Sequence, residues 1–315
     1  MSADTGHTDQ LPPSTNDSPT DSPSATQDPP QTSTPPPSTP EPSPPSPSTE
    51  QDPPAPKSLN IFRVGKDDTI GHRPTMEDQT VVYCSEDGEF HFFAIFDGHG
   101  GSSASVFCAE KLRSIIQSKL KGGSPPGPVE SIIKESFQEC NDALKETNSC
   151  SETGTTAVVA VVLGDQMWIA NSGDSRAVLS KAEQAMRVTT DHKPTLEAER
   201  KRIEALKGFV FFGRVNGVLA VSRALGDFNF HPHVTCEPDV FGPFNVKDQE
   251  NQFLILACDG LWDVVDDKHA VGIVQSCGSV QEGARKLVST ALDARSTDNI
   301  SVAVVFFPNY APNVH

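Results

Sequence analysis

The chain is expected to fold as an α+β domain, with antiparallel sheets stacked face to face and helices outside them, behind a non-globular amino-terminal segment. Three observations predict this. Short β-rich runs recur in clusters from Thr80 onward, amphipathic helical stretches lie between the clusters, and the prolines crowd into the first 56 residues. A doubly wound sheet would alternate single strands with single helices, whereas clustered strands with paired helices between them fit antiparallel layers. A length of 315 residues with 36% hydrophobic content allows one large domain or two small ones, so composition along the chain has to decide.

Seventeen of the 27 prolines fall in residues 1–56, a stretch of Pro, Ser, Thr, Asp and Gln in which Leu11 is the one large apolar residue after Met1. Such a segment cannot bury enough surface to offset chain entropy. Residues 1–57 are therefore expected to be a disordered, acidic Pro/Ser/Thr-rich tail with polyproline II character near 35–47, and residues 58–315 to be the folded domain. Six Ser-Pro or Thr-Pro pairs at Ser18, Ser22, Thr34, Thr39, Ser43 and Ser46, together with PxxP spacing, leave two readings. The tail is either a passive tether or a site for a tail-binding partner or a proline-directed kinase.

The tail carries −8 of the net charge of −17 and leaves −9 for the domain. That balance argues against nucleic acid and anionic membrane surfaces as partners. Part of the excess can be carboxylates of a metal site, whose cations a formal charge omits; the other reading is solubility alone. Seven cysteines, an odd number with no CxxC spacing, fit a reducing compartment. No signal-peptide core precedes the tail and no apolar run approaches the ~18 residues of a membrane span. The expectation is a soluble intracellular monomer, cytoplasmic and/or nuclear.

The elements follow in order. Strands are predicted over 80–84 and 89–96, then helices over 102–121 and 129–147, where Val106, Ala109, Leu112, Ile116 and Leu120, and Ile132, Ile133, Phe137 and Leu144, recur at helical spacing. The loop 122–128 joins the two as an αα-hairpin. Strands over 155–163 and 166–170 flank Gly164-Asp165, a two-residue hairpin signal, and a further strand is expected over 177–180. A helix over 195–206 opens after Pro194, a strand covers 253–258, a helix 281–294, and a last strand 300–307.

Acidic residues stand at the ends of the most apolar of these strands. Asp97-Gly98-His99 follows 92–96, Asp259 follows 253–257, and Asp298 precedes 300–307. A buried carboxylate without a partner is costly, so strands that each deliver an Asp to the sheet boundary need a common cation. Oxygen ligands point to Mg²⁺ or Mn²⁺. Gly98 can turn its carbonyl toward an ion, Asp97 can bridge two, and His99 at the rim can donate a proton. A strand-ending turn with a satisfied His is the competing reading. Two divalent ions ~3.5–4 Å apart can hold one bridging water, lower its pKa toward ~7 and aim it at phosphorus. The chemistry read from the residues is thus metal-assisted phosphate-ester hydrolysis. In Arg73-Pro74-Thr75-Met76-Glu77-Asp78 a guanidinium can grip phosphate while the carboxylates hold metal or its water; the stretch also reads as a surface salt bridge. Asp174, in a Gly-Asp turn, and Asp263 can supply a further, weaker ion.

As an ordered set, these residues resemble the metal-dependent protein serine/threonine phosphatases of the 2C type (PPM). The match runs through 73–78, 93–101, 154–158, 171–177, 191–194, 214–227 (RVNGVLAVSRALGD), 253–265 (FLILACDGLWDVV) and 297–302, and covers 61–307. The resemblance implies a central antiparallel β-sandwich flanked by pairs of helices, a four-layer αββα architecture with metals in a cleft at one end. It implies hydrolysis of phosphoserine and phosphothreonine in phosphoprotein substrates with Mg²⁺ or Mn²⁺, two ions and a third weaker one. Position by position, Asp97 resembles the bridging ligand, Gly98 the carbonyl ligand, and Asp259 and Asp298 the other direct ligands. Glu77 matches the residue holding metal through water, and Asp78 its supporting neighbour. Arg73 matches the phosphate-binding arginine, His99 the proposed general acid, and Asp174 and Asp263 the third metal position. The substrate-side flap corresponds to 191–217, where Lys207-Gly208 replaces the common Gly-Gly and the apolar Phe209-Val210-Phe211-Phe212 follows. Core packing is the expectation for these adjacent aromatics, and a partner-binding patch is the alternative. Two rival functions remain: a two-metal phosphoesterase for a small molecule, and a catalytically dead module with the Pro-rich tail as adaptor.

Overall fold

A strand in which every residue is buried must be covered on both faces, and Phe90–Phe96 is such a strand. Its alternate residues divide between two cores. Phe92, Ala94 and Phe96 pack with helical residues such as Leu112, Ile116, Ile133 and Phe137. Phe93 and Ile95 pack instead with Leu179, Leu254, Leu256, Ala303 and Val305 of a second sheet. The layering follows from this alternation.

The computed structural model describes residues 62–120, 127–147 and 152–312. The expected tail over 1–57, most of the 122–128 connection and Cys150 lie outside the described residues. In chain order the elements begin with β1 (Arg63–Thr69), β2 (Gln79–Cys84), β3 (Phe90–Phe96), the two-residue β4 (Gly98–His99), α1 (Ser103–Leu120) and α2 (Val129–Lys145). Next come β5 (Gly154–Thr155), β6 (Ala157–Leu163), β7 (Gln166–Ser172), β8 (Arg176–Lys181), β9 (Gln184–Arg187), α3 (Glu197–Ala205), β10 (Val210–Phe211), β11 (Arg214–Val215) and β12 (Leu225–Gly226). The chain closes with β13 (Asp239–Asn245), β14 (Asn251–Ala257), α4 (Asp259–Trp262), α5 (Asp267–Gln275), α6 (Val280–Asp293) and β15 (Ile300–Phe306).

Two five-stranded sheets, ordered β1-β15-β14-β8-β9 and β13-β7-β6-β3-β2, are antiparallel throughout. On β14, Phe253, Ile255 and Ala257 face α5 and α6, while Leu254 and Leu256 face the other sheet. The result is the expected α+β sandwich, with α1 and α2 on one side and α5 and α6 on the other. Burial of each of these aromatic or branched side chains stabilises the fold by about 1.5–3 kcal/mol.

Several boundaries differ from expectation. The strand expected over 155–163 is broken at Thr156, whose N–H leaves the ladder to donate to the Asp97 carbonyl at 2.9 Å. β1 and β13, both edge strands, have no counterpart in the sequence reading: β1 is polar, and the apolar residues of β13 are interrupted. β13 also carries Gly242-Pro243 at a register shift, which an edge tolerates. α5 begins at the cap Asp266, whose carboxylate accepts from the His269 N–H at 2.9 Å, and its nine residues are too short for a clear period. Core packing of the flap aromatics is corrected. Val210 and Val215 take the inward positions of the β10–β11 hairpin, against Ile203, Val221 and Val234, so Phe209, Phe211 and Phe212 are exposed.

A buried ionic clamp fixes the base of this hairpin. Glu199, buried at the start of α3, accepts from Arg223 at 2.7 Å and Arg202 at 2.9 Å. Arg223 also reaches Asp239 at 3.0 Å, and Asp239 accepts from the ring of buried His192 at 3.1 Å. Burial alone would raise the Glu199 pKa; the two guanidiniums outweigh it and hold the carboxyl at about 2. A depressed carboxylate pKa adds stability that is present above the unfolded value and lost as pH falls toward the folded one. Glu199→Gln is expected to lower stability by roughly 3 kcal/mol at pH 7, because it strips two guanidiniums of their shared anion. Urea midpoints of wild type and variant should converge as pH falls from about 4.5 to about 2.

Candidate active site

Each acidic residue reaches the same end of the sandwich by a separate route. β3 ends at Phe96 and presents Asp97; β14 ends at Ala257, and Cys258 leads into α4, whose first residue is Asp259; Asp298 stands two residues before β15. Asp174 lies in the turn between β7 and β8. Together with Arg73, Glu77, Gly98, His99 and Arg214, these side chains line one cavity of about 370 Å³. Asp78 is not in its wall but is buried, with the Ser301 hydroxyl and the Cys258 thiol beside its carboxylate. Asp263 lies outside the wall, largely exposed, where the Lys193 ammonium meets it at 3.1 Å and Asp174 at 3.8 Å.

The electrostatics are those of crowded buried carboxylates. Desolvation, then the charges of Asp78, Asp259, Asp174 and Asp298, push Asp97 well above the ordinary carboxylate range. Burial and neighbouring Asp residues likewise raise Asp259 to about 6, and burial with the Asp259 charge raises Asp174 to about 7. Asp78 rises to about 6, first through burial, with the nearby Ser301 hydroxyl and Cys258 thiol tempering the effect. Burial tends to neutralise such groups, and a bound cation reverses that tendency. The all-oxygen donors and raised carboxylates of the wall fit hard divalent cations better than any softer ligand. Among the described residues no three Asp, Glu, His or Cys side chains form a closed ligand set, and one Asp298 oxygen is taken by Arg73 at 2.6 Å.

Three positioning contacts went unseen in the sequence. Asn299 is the first. Its side-chain oxygen accepts from the Glu77 N–H at 2.9 Å, and its amide donates to the Ile70 and Thr75 carbonyls at 2.9 and 3.0 Å, so it ties the Arg73-to-Asp78 loop to β15. Glu77 in turn accepts from Thr75 at 2.9 Å and from the Gly101 N–H at 3.0 Å. Asn299→Leu is expected to cost about 2–4 kcal/mol of stability by orphaning two carbonyls and one N–H. It should also raise KM for a phosphopeptide more than the isosteric Asn299→Asp does, a difference that steady-state kinetics would show.

Asp227 is the second. β4 pairs with β5, and β5 with β12, so that His99 and Asp227 meet across Gly154, with His99 Nε2 and Asp227 Oδ2 at 2.7 Å. A Cβ on Gly154 would lie 2.2 Å from that oxygen and 2.4 Å from that nitrogen, so only glycine lets the pair close. Burial lowers the His99 pKa, but the hydrogen bond and charge of Asp227 outweigh it, and the net shift is upward. Lys193, the third, holds Asp263 as described. All three lay inside quoted motifs, and only the loop geometry reveals their contacts.

The sequence profile described as "Protein phosphatase 2C" matches residues 57–300. A rice relative (Oryza sativa subsp. japonica), "Probable protein phosphatase 2C 7", is 42% identical over 245 residues, covering 75% of this chain. The chain spans 63% of that relative's length. "Probable protein phosphatase 2C 59" of Arabidopsis thaliana is 38% identical over 261 residues, covering 80% of this chain and 82% of the relative. Among solved structures, one described as a C. elegans sex determining protein superposes with a TM-score of 0.71 at 28% identity, covering 78% of this chain and 64% of that one.

Proposed function

The chain belongs to the protein phosphatase 2C family, whose members are metal-dependent protein serine/threonine phosphatases, and on that premise we propose that it hydrolyses phosphoserine and phosphothreonine in proteins at this cavity. The observation that carries the reading is the arrival of Asp97, Asp174, Asp259 and Asp298 from four separate segments at one cavity that also holds Arg73 and His99. Asp97, Asp259, Asp298 and the Gly98 carbonyl would hold two Mg²⁺ or Mn²⁺ ions, Glu77 would hold them through water, and Asp174 with Asp263 would hold a third, weaker one. When bound, such ions would polarise the phosphate and make an attacking water acidic enough to act near neutral pH.

The chain's own groups do the rest. Arg73, half exposed at the cavity mouth, has guanidinium donors beyond the one on Asp298 and can take two phosphate oxygens in a fork. Asp78, buried behind the wall, would add negative charge that favours a bound cation. His99 stands at the rim to give its proton to the departing serine or threonine oxygen, with Asp227 fixing its ring. No step requires a covalent nucleophile, which agrees with the burial of Cys108, Cys140, Cys236, Cys258 and Cys277.

The reading is tested by turnover of phosphoserine and phosphothreonine peptides against a panel of phosphorylated metabolites, with Mn²⁺ and with EDTA. Metal-dependent preference for peptides is the expected outcome. Faster turnover of one metabolite would favour the small-molecule rival, and inertness on all of them the adaptor rival.

A further inference from the structure

The β10–β11 hairpin places its aromatics outside the core, on the face that solvent reaches. Strand residues alternate, so with Val210 turned inward, Phe209 and Phe211 must turn out. Phe209 is 55% exposed, Phe211 57% and Phe212 88%, and Val218 and Leu206 beside them are exposed as well. Five of the nine exposed large apolar residues among those described thus fall within residues 206–218. Isolated exposed apolar residues need no explanation, but a cluster of this kind on one short hairpin does.

The backbone makes the same point independently. Phe212 and Gly213 form the two-residue turn of the hairpin with φ of +47° and +72°, a type I′ geometry that Asn or Gly adopts easily. A phenylalanine there accepts left-handed strain and full exposure at once, which local stability does not reward. The hairpin is nonetheless held firmly. The Asn216 N–H donates to the Phe209 carbonyl at 2.8 Å, and Arg214 donates to the Val218 carbonyl at 2.7 Å. The rings of Phe211 and Phe212 lie edge to face with centroids 4.3 Å apart.

The same segment continues into the catalytic cavity. Arg214, paired across the hairpin with Phe211, lines that cavity with Leu219, Ala220 and Val221. Of the Lys and Arg residues from Lys193 through Arg214, Lys193, Arg200, Lys201 and Arg202 are ion-paired with acidic residues, and Arg214 is the one that joins Arg73 in the cavity wall. An apolar patch beside a cavity that holds the guanidiniums of Arg73 and Arg214 complements a chain that carries both a phosphate and a large apolar side chain. We propose that the outward face of the β10–β11 hairpin is a specificity surface that takes an aromatic or large aliphatic side chain of the phosphoprotein substrate. That side chain lies close in sequence to the phosphorylated one, because Arg214 both lines the cavity and adjoins the hairpin turn. The proposal rests on the phosphatase reading above and names the substrate class for it.

The test compares phosphoserine peptides that carry Phe or Leu at positions −5 to +5 with peptides that carry Ser or Glu there. The full-length wild type and the double variant Phe211→Thr/Phe212→Asn are used; Thr suits a strand and Asn the left-handed turn, so the hairpin is kept. Each kcat/KM is divided by that sample's turnover of p-nitrophenyl phosphate, which cancels differences in active fraction. The wild type should favour apolar-flanked peptides about tenfold, near what one buried aromatic anchor supplies, and the variant should lose that preference. Equal rates on both peptide sets in the wild type, or an undiminished preference in the variant, would overturn the proposal alone. A wild-type dimer in sedimentation that the variant does not form would also overturn it, since a second copy would then cover the face. Absence of metal-dependent turnover on every peptide and on p-nitrophenyl phosphate would overturn the phosphatase reading and this proposal with it.

Discussion

Asp259→Asn is expected to lower kcat/KM on a phosphoserine peptide by about two orders of magnitude or more, in the range seen when one group stabilising developing charge is removed. Stripped of metal with EDTA, the same variant should unfold at a higher temperature than wild type. The opposite signs have one cause. Desolvation first, then the charges of Asp263 and Asp298, raise the pKa of half-buried Asp259 to about 6, so at pH 7.5 its carboxylate adds repulsion to the metal-free fold. The amide keeps the shape and removes the charge, which relieves that repulsion by roughly 1–2 kcal/mol while weakening the cluster's hold on a divalent cation. Thermal melts at a series of Mn²⁺ concentrations should therefore cross, with the variant ahead without metal and the wild type ahead at saturation. Full activity of the wild type in excess EDTA after dialysis would sink the mechanism.

The same burial that makes these carboxylates reactive also made them legible. Asp97, Asp259 and Asp298 each border a strand so apolar that it must be covered on both faces, as β3, β14 and β15 are. An acidic residue at such a boundary needs an explanation whatever the fold. β3 and β15 were legible for the same reason, and α1 and α2 because their apolar positions recur at helical spacing. Edges were not. β1 reads Arg-Val-Gly-Lys-Asp-Asp-Thr, with no alternation of apolar and polar residues, and Gly65 within it lets α6 approach until a Cβ there would lie 2.4 Å from the Val280 carbonyl, a constraint that leaves no periodic trace. Contacts made by two-residue strands were equally invisible. Asp227 meets His99 only because β4, β5 and β12 form a three-stranded sheet of six residues, too short for any pattern. The flap aromatics misled for a different reason. Adjacent phenylalanines are usually core, and only the inward placement of Val210 and Val215 shows which way they face.

His99→Ala is expected to slow phosphoserine peptide turnover by about 10²–10⁴-fold, the usual worth of a positioned proton donor, while p-nitrophenyl phosphate loses far less. A serine oxygen leaves as a strongly basic alkoxide unless it is protonated as the P–O bond breaks, whereas nitrophenolate is stable without a proton. Asp227 should show the same split through His99. Its carboxylate holds His99 Nε2 at 2.7 Å across Gly154, so the ring can present its other nitrogen in one orientation to the cavity. Asp227→Asn keeps a hydrogen-bonding oxygen of the same size but removes the charge that favours a protonated ring. It is therefore expected to lower kcat on the peptide by roughly tenfold or more with little change in KM, and to leave the aryl ester nearly as fast as in wild type. In the double variant His99→Ala/Asp227→Asn the two losses should not add, because Asp227 has no proton donor left to position. Arg73→Ala provides the contrast, since an arginine that grips phosphate serves both esters and its loss should raise KM for peptide and aryl phosphate together. Equal losses on the two substrates for His99→Ala, or additive losses in the double variant, would remove the pair from proton delivery and leave it a structural brace between β4 and β12.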